Sequence, residues 1–213
     1  MNTPEIIMSK RNNHTDRGRE RHHHFSRKMN THFVLDSLGE RDIALVMEFD
    51  NSILRFKAQP FSTLYIGIDG KRHRYTSDFL VQYTSYANSC FEVKPKKFTA
   101  ALEFQYKFEL LQAHFKKRYS IPLELRTEKS FTRERFINCR QLYRYRQKPI
   151  TSDDNRLVKY VGRRSICFFE LKDAASRIGS PIVSPFKLVA QKVCEMDMDN
   201  EILNDKSLLE ILK

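Results

Sequence analysis

The pattern of apolar and polar positions becomes regular near Val34. Leu35, Leu38, Ile43, Val46, Met47 and Phe49 recur at helical spacing, and Ser37 followed by Glu40 forms an S-x-x-E capping box. A helix is therefore predicted over about 37–49. The next run is strand-like: Phe56 to Pro60 and Phe61 to Ile68 are rich in β-branched and aromatic residues, and Asp69-Gly70 ends them in a tight hairpin turn. Arg74 to Tyr83 reads as the returning strand, and Cys90 to Val93 as a third, closed by Pro95. Thr99 is a candidate cap for a long helix to about Lys117, with Leu102, Tyr106, Leu110 and Ala113 as its buried stripe. Ile121 to Arg126 is a short strand and Phe131 to Arg146 a basic helix. Helix, hairpin, strand, helix, strand and helix predict an α/β domain with a mixed sheet flanked by helices.

Composition shifts over Gln147 to Asn155, a predicted linker. Beyond it Arg164 to Phe169 is strand-like, and two short helical patterns, about 170–177 and 185–195, flank Ile178-Gly179-Ser180-Pro181. A small helix-turn-helix or winged-helix module and an unrelated helical appendage both fit that pattern. Residues 1–28 are polar and basic and predict a mobile arm, with His22-His23-His24 read as solvated rather than metal-binding.

Charge narrows the function. The 213 residues hold 38 Lys and Arg against 26 Asp and Glu, a net +12, which points to a polyanionic partner. Residues 126–148 carry eight bases and two acids, whereas 194–213 carry six acids and two bases. A nucleic-acid face and a separate protein-contact end are expected. No run of 18 or more apolar residues is present, so no membrane span and no membrane partner are expected. Glycine is scarce and no Gly-rich phosphate cradle occurs. Cys90, Cys139, Cys167 and Cys194 are scattered, with no C-x-x-C pair, and are expected to be reduced thiols in a cytosolic protein.

The candidate chemistry lies on the predicted strands. Residues two apart on a strand share a face, so Glu92 and Lys94 project together while Phe91 and Val93 project oppositely. If the strand bearing Asp78 pairs alongside, two carboxylates and an ammonium converge. Such a set suits Mg²⁺, a hard ion that keeps several waters and assists phosphodiester hydrolysis. The pattern is D-x(n)-[DE]-x-K, with thirteen residues between Asp78 and Glu92. Three [DE]-x-K tripeptides exist, beginning at Asp69, Glu92 and Glu170, but only Glu92-Val93-Lys94 falls on an apolar strand after a strand bearing Asp. An ion pair on a solvated sheet face is the competing reading. Glu40 can serve as a third carboxylate or as the capping residue of the first helix.

The order of these features resembles the TnsA endonuclease family, the nuclease subunit of Tn7-type heteromeric transposases. The resemblance runs over about residues 30–146, through Leu35-Asp36-Ser37-Leu38-Gly39-Glu40-Arg41-Asp42, Lys57-Ala58-Gln59-Pro60, Arg74 to Val81, Phe91-Glu92-Val93-Lys94-Pro95, and Thr127-Glu128 with Asn138, Leu142 and Tyr145. It implies a restriction-endonuclease-like catalytic domain over 29–148 and a winged-helix-like C-terminal domain over 149–213. It also implies cleavage of the 5′ ends of a transposon with Mg²⁺ or Mn²⁺, in the bacterial cytoplasm. By position it assigns Glu40, Asp78, Glu92 and the Val93 carbonyl to the metal and Lys94 to catalysis. Ser77 stands where many relatives of this superfamily have Pro. The implied partners are transposon-end DNA, a TnsB-like transposase and a TnsC-like AAA+ ATPase. The ATPase is expected to engage the acidic Glu195, Asp197, Asp199, Glu201 and Asp205 and the apolar Leu208, Leu209, Ile211 and Leu212. Arg133, Arg140, Arg144, Lys96 and Lys97 are candidate DNA-phosphate contacts. A stand-alone restriction or repair nuclease and a non-catalytic DNA-binding adaptor are the alternatives.

Overall fold

The computed structural model describes residues 20–212, which divide into two compact units between Ser130 and Phe131. The first unit opens with a hairpin, β1 (His22–Ser26) paired to β2 (Thr31–Leu35), which packs on α1 (Leu38–Phe49). Residues 22–26 of the expected arm are therefore a strand, while 1–19 lie outside the described residues. The cause is Glu48, buried on α1. It accepts from Ser26 Oγ and from the Lys28 backbone N–H at 3.1 Å, and His24 Nε2 lies 3.8 Å away. Burial alone would raise the Glu48 carboxyl, but these partners outweigh it and hold it below the ordinary carboxylate range.

A four-stranded mixed sheet follows, in the order β3 (Ile53–Ala58), β6 (Phe79–Tyr83), β7 (Asn88–Val93), β8 (Leu123–Arg126). The first three strands are antiparallel and β8 runs parallel to β7. A separate ribbon pairs β4 (Ser62–Ile66) with β5 (Arg72–Thr76). The predicted single strand Arg74–Tyr83 is thus two strands, broken at Ser77-Asp78: β5 turns back on β4 before the chain enters the sheet as β6.

Register sorts the sheet's side chains by face. Phe79 opposes Phe91, and Phe56 opposes Val81; all four are buried, with Phe33 5.4 Å from Phe56. Leu80 opposes Cys90, which opposes Leu123; these face the other way, into a core with Phe61, Tyr65, Tyr75, Leu111 and Phe115. That core seats α2 (Leu102–Tyr119).

Two features of α2 differ from expectation. Its cap is Ala101, because Lys96–Phe98 forms a 3-10 turn and the Thr99 hydroxyl donates to the Lys96 carbonyl at 2.8 Å. The buried stripe is Leu111 and Phe115, whereas Leu102, Tyr106 and Leu110 are exposed. Two apolar stripes share this helix at helical spacing, and only the one facing the sheet and ribbon is covered.

The second unit contains α3 (Arg133–Arg146), α4 (Ser152–Val161), β9 (Ser165–Cys167), α5 (Phe168–Arg177), α6 (Ser184–Ala190), β10 (Cys194–Glu195) and β11 (Leu208–Ile211). Its sheet has the order β10-β11-β9. Here the expected boundary at 148/149 shifts, because α3 packs on α6. Tyr145 stacks on Phe186 at 5.0 Å, and Asn138 bonds the carbonyls of Met198 and Glu201 and the Leu203 N–H. The expected linker is largely α4, begun by a capping box between Thr151 and Asp154. The acidic and apolar C-terminal segment is built into the unit: Asp199 pairs with Arg135 at 2.6 Å, Asp205 pairs with Lys172, and Leu209 and Ile211 are buried on β11. Only Leu208 and Leu212 of its apolar residues are exposed.

Candidate metal centre

The site is made where β5, β6 and β7 meet. Asp78 occupies the break between β5 and β6, held by its backbone: its N–H donates to the Phe91 carbonyl at 2.9 Å and its carbonyl accepts from Gln59 N–H at 2.7 Å. Gln59 takes a positive φ of 44° to make that contact. The β6–β7 register ends at Phe79 opposite Phe91, and Asp78 lies just beyond it, near enough to Glu92 for that charge to act on it. Val93 projects the other way, where its Cγ1 would lie 3.3 Å from any Cβ at Gly39, so glycine lets the first turn of α1 sit against β7.

Each acid is positioned by a donor. The Val93 N–H donates to Asp78 Oδ2 at 2.6 Å, and the Tyr75 hydroxyl donates to Glu92 Oε2 at 2.6 Å. Glu40 is buried in the first turn of α1, where its Oε1 accepts from Ser37 Oγ at 2.9 Å and its Oε2 from the Asp36 N–H at 3.1 Å. Lys94 anchors its backbone N–H on the Arg126 carbonyl, and its Nζ lies 6.0 Å from the Phe104 ring of α2.

Electrostatics ties the acids together. Burial, then repulsion from Glu92, Glu40 and Asp36, pushes the Asp78 carboxyl up to about 8, against the pull of the Val93 N–H. Burial also raises Glu92, although Tyr75, Lys94 and Lys107 pull the other way. Glu92, Glu40 and Asp36 thus surround Asp78 with negative charge, and carboxylate oxygens so gathered suit a hard divalent cation. Among the described residues, no three His, Cys, Asp or Glu gather as a ready-made metal cage. The fit therefore rests on Asp78 and Glu92, with Glu40 near enough to add charge while its oxygens serve the helix cap.

The expected residues thus separate by position. Glu40, Asp78, Glu92, Val93 and Lys94 occupy one neighbourhood of the first unit. Lys96 and Lys97 are exposed on the 3-10 turn just beyond it. Arg133, Arg140 and Arg144 belong to the second unit, where all three are exposed on α3. Tyr75 and Lys107 were not anticipated. Period-two alternation from Asp78 back along β5 misleads at Tyr75, since the break at Ser77 resets the faces; Lys107 lies on α2 and only the fold brings its charge to Glu92.

Residues 50–128 match the family model described as the TnsA-like endonuclease N-terminal domain. This stretch contains Asp78, Glu92 and Lys94; it begins after Glu40 and ends before the second unit. Over that segment the chain is similar to nucleases of the Tn7 transposase type. No curated protein matches the chain.

Proposed function

We propose that this chain is the endonuclease subunit of a heteromeric transposase, cutting the 5′ ends of a mobile element by phosphodiester hydrolysis. The observation that carries the reading is the closeness of Asp78 to Glu92, its carboxylate held by the Val93 N–H, with Lys94 two residues on from Glu92, inside a TnsA-like endonuclease segment. Asp78, Glu92 and the Val93 carbonyl would hold Mg²⁺ or Mn²⁺, with Glu40 adding negative charge. Such an ion supplies Lewis acidity to the scissile phosphate and lowers the pKa of attacking water.

The chain's own residues supply the rest. Tyr75 fixes the orientation of Glu92, and the Val93 N–H fixes Asp78, so neither carboxylate must reorganise during the reaction. Lys94 orients the attacking water, takes its proton or offsets charge on the phosphate oxygens. The order α4-β9-α5-α6-β10-β11, with sheet order β10-β11-β9, supports a winged-helix-like second unit. The partners of this reading are a TnsB-like transposase for the 3′ ends and a TnsC-like AAA+ ATPase, in the bacterial cytoplasm. Exposed Arg133, Arg140, Arg144, Lys96 and Lys97 would contact DNA phosphates.

The test combines the purified chain with its transposase, its ATPase, ATP, Mg²⁺ and DNA bearing transposon ends, and maps nicks on each strand. Asp78→Ala and Lys94→Ala are each expected to reduce 5′ cutting by about 10²–10³-fold or more while DNA and partner binding persist. Unchanged 5′ products from either variant reject the nuclease reading.

A further inference from the structure

The β4–β5 ribbon has two unlike faces. Its register pairs Thr63 with Tyr75 and Tyr65 with His73, and this side packs toward α2, with Tyr75 5.7 Å from Phe115 and Tyr65 6.5 Å from His114. The alternate pairs, Leu64 with Arg74 and Ile66 with Arg72, make the opposite face. That face is open: Leu64 is 55% and Ile66 56% exposed, and both arginines are exposed. Among the described residues neither guanidinium has an acid or a hydrogen-bond partner. The nearest acid in sequence, Asp69, is occupied by His73 Nε2 at 2.9 Å and the Lys71 N–H at 3.1 Å. Lys71 adds a third exposed cation at the turn.

Two unpaired arginines at period two repel one another, and two aliphatic side chains beside them stay in water. Both features disfavour the isolated surface, and an anionic partner with apolar edges relieves both. We propose that this outer face is a DNA-gripping ribbon: Arg72 and Arg74, with Lys71, hold phosphates of the duplex being cut, and Leu64 and Ile66 lie against sugars or thymine methyls. A two-stranded ribbon is narrow enough for the major groove. Its position also fits. Arg74 and Arg72 precede Asp78 by four and six residues, at most about 13 and 20 Å along extended chain. That reach is about four to six nucleotide steps from the phosphate presented to Asp78 and Glu92.

This inference rests on the nuclease reading but is tested by binding rather than cleavage. Affinity of the full chain for a fluorescent linear duplex is measured in EDTA across a salt series for three proteins: wild type, Arg72→Ala/Arg74→Ala, and Arg72→Lys/Arg74→Lys. The alanine pair is expected to bind about tenfold or more weakly near 0.1 M salt, and its log–log salt slope to flatten by about 1.8, because two phosphate contacts are lost. The lysine pair should restore most of the slope, and thermal midpoints should stay near the wild-type value because both side chains are exposed. If wild type binds DNA and the alanine pair matches it in slope and affinity, the ribbon inference is overturned and the nuclease reading stands. If the alanine pair keeps DNA binding and instead loses the transposase or the ATPase, the face is a protein contact and the inference is equally overturned. A wild-type chain that binds no duplex overturns the ribbon inference, and the nuclease reading is then decided by the strand-mapping test.

Discussion

Replacing Asp78 with Asn should destroy cleavage and yet stabilise the metal-free protein. The Asp78 carboxyl sits at about 8 because burial and three neighbouring carboxylates oppose its charge. A carboxyl raised in the folded state keeps its proton where the unfolded chain has released it. Its contribution to stability is complete below about pH 3.8 and is lost as pH rises through about 8. The gap between 3.8 and about 8, at about 1.36 kcal/mol per pH unit, sets a ceiling of about 6 kcal/mol. Proton sharing with Glu92 and contact with water reduce the expected gain to about 1–3 kcal/mol. Asn keeps an acceptor for the Val93 N–H, so the local backbone need not move. The assay is urea unfolding in EDTA. At pH 8.5 the variant should exceed wild type by that amount, at pH 5 by under about 1 kcal/mol, and Mg²⁺ should stabilise wild type alone. A variant less stable than wild type at pH 8.5, or one that Mg²⁺ stabilises equally, would refute the account of a buried Asp78 repelled by its neighbouring carboxylates.

Tyr75→Phe removes the donor that orients Glu92; cleavage should fall about tenfold with the Mg²⁺ requirement raised, and stability by about 1 kcal/mol, read by cleavage titrations and urea unfolding. In the second unit, Lys187 on α6 and Asp154 on α4 form an ion pair with side-chain exposures of 7% and 0%. Lys187→Ala strands a buried carboxylate and should cost that unit about 3–5 kcal/mol, seen as a lower unfolding midpoint while DNA binding by the first unit is retained.

Much of the first unit is legible because its signals are local. Ser37 and Glu40 start α1 where capping chemistry demands, Asp69-Gly70 turns the ribbon, and Phe91 against Glu92 assigns opposite faces to β7. The break at Ser77-Asp78 is not legible, because Arg74 to Tyr83 is continuously strand-like and contains neither Gly nor Pro. What splits it is tertiary: β5 finds its partner in β4 and β6 in β3, and Asp78 is stationed at the change of partners. The α2 stripe fails for a related reason. Leu102, Tyr106 and Leu110 are as well spaced as Leu111 and Phe115, and only the placement of the ribbon decides which is covered. The same holds for α3, which the resemblance assigned to the catalytic domain while Asn138 and Tyr145 bind it to the second unit.

Glu40 carries two roles that one substitution can separate. Its carboxylate completes the start of α1 through Ser37 and the Asp36 N–H, and it also stands close enough to Asp78 to raise it. Glu40→Ala removes both roles at once, so loss of activity there is ambiguous. Glu40→Gln keeps an oxygen for the Asp36 N–H and an amide that can donate to Ser37 Oγ, and it removes only the charge. The lost favourable interaction with the helix N-terminus, about 0.3–1 kcal/mol, is opposed by relief of repulsion on Asp78. Urea unfolding in EDTA should therefore stay within about 0.5 kcal/mol of wild type. If the third negative charge helps to hold the cation, Glu40→Gln should nevertheless need about tenfold more Mg²⁺ for half-maximal cleavage. Wild-type cleavage at the wild-type Mg²⁺ requirement would leave Glu40 as a cap alone, and the site would be the two-carboxylate centre that Asp78 and Glu92 make across the strands.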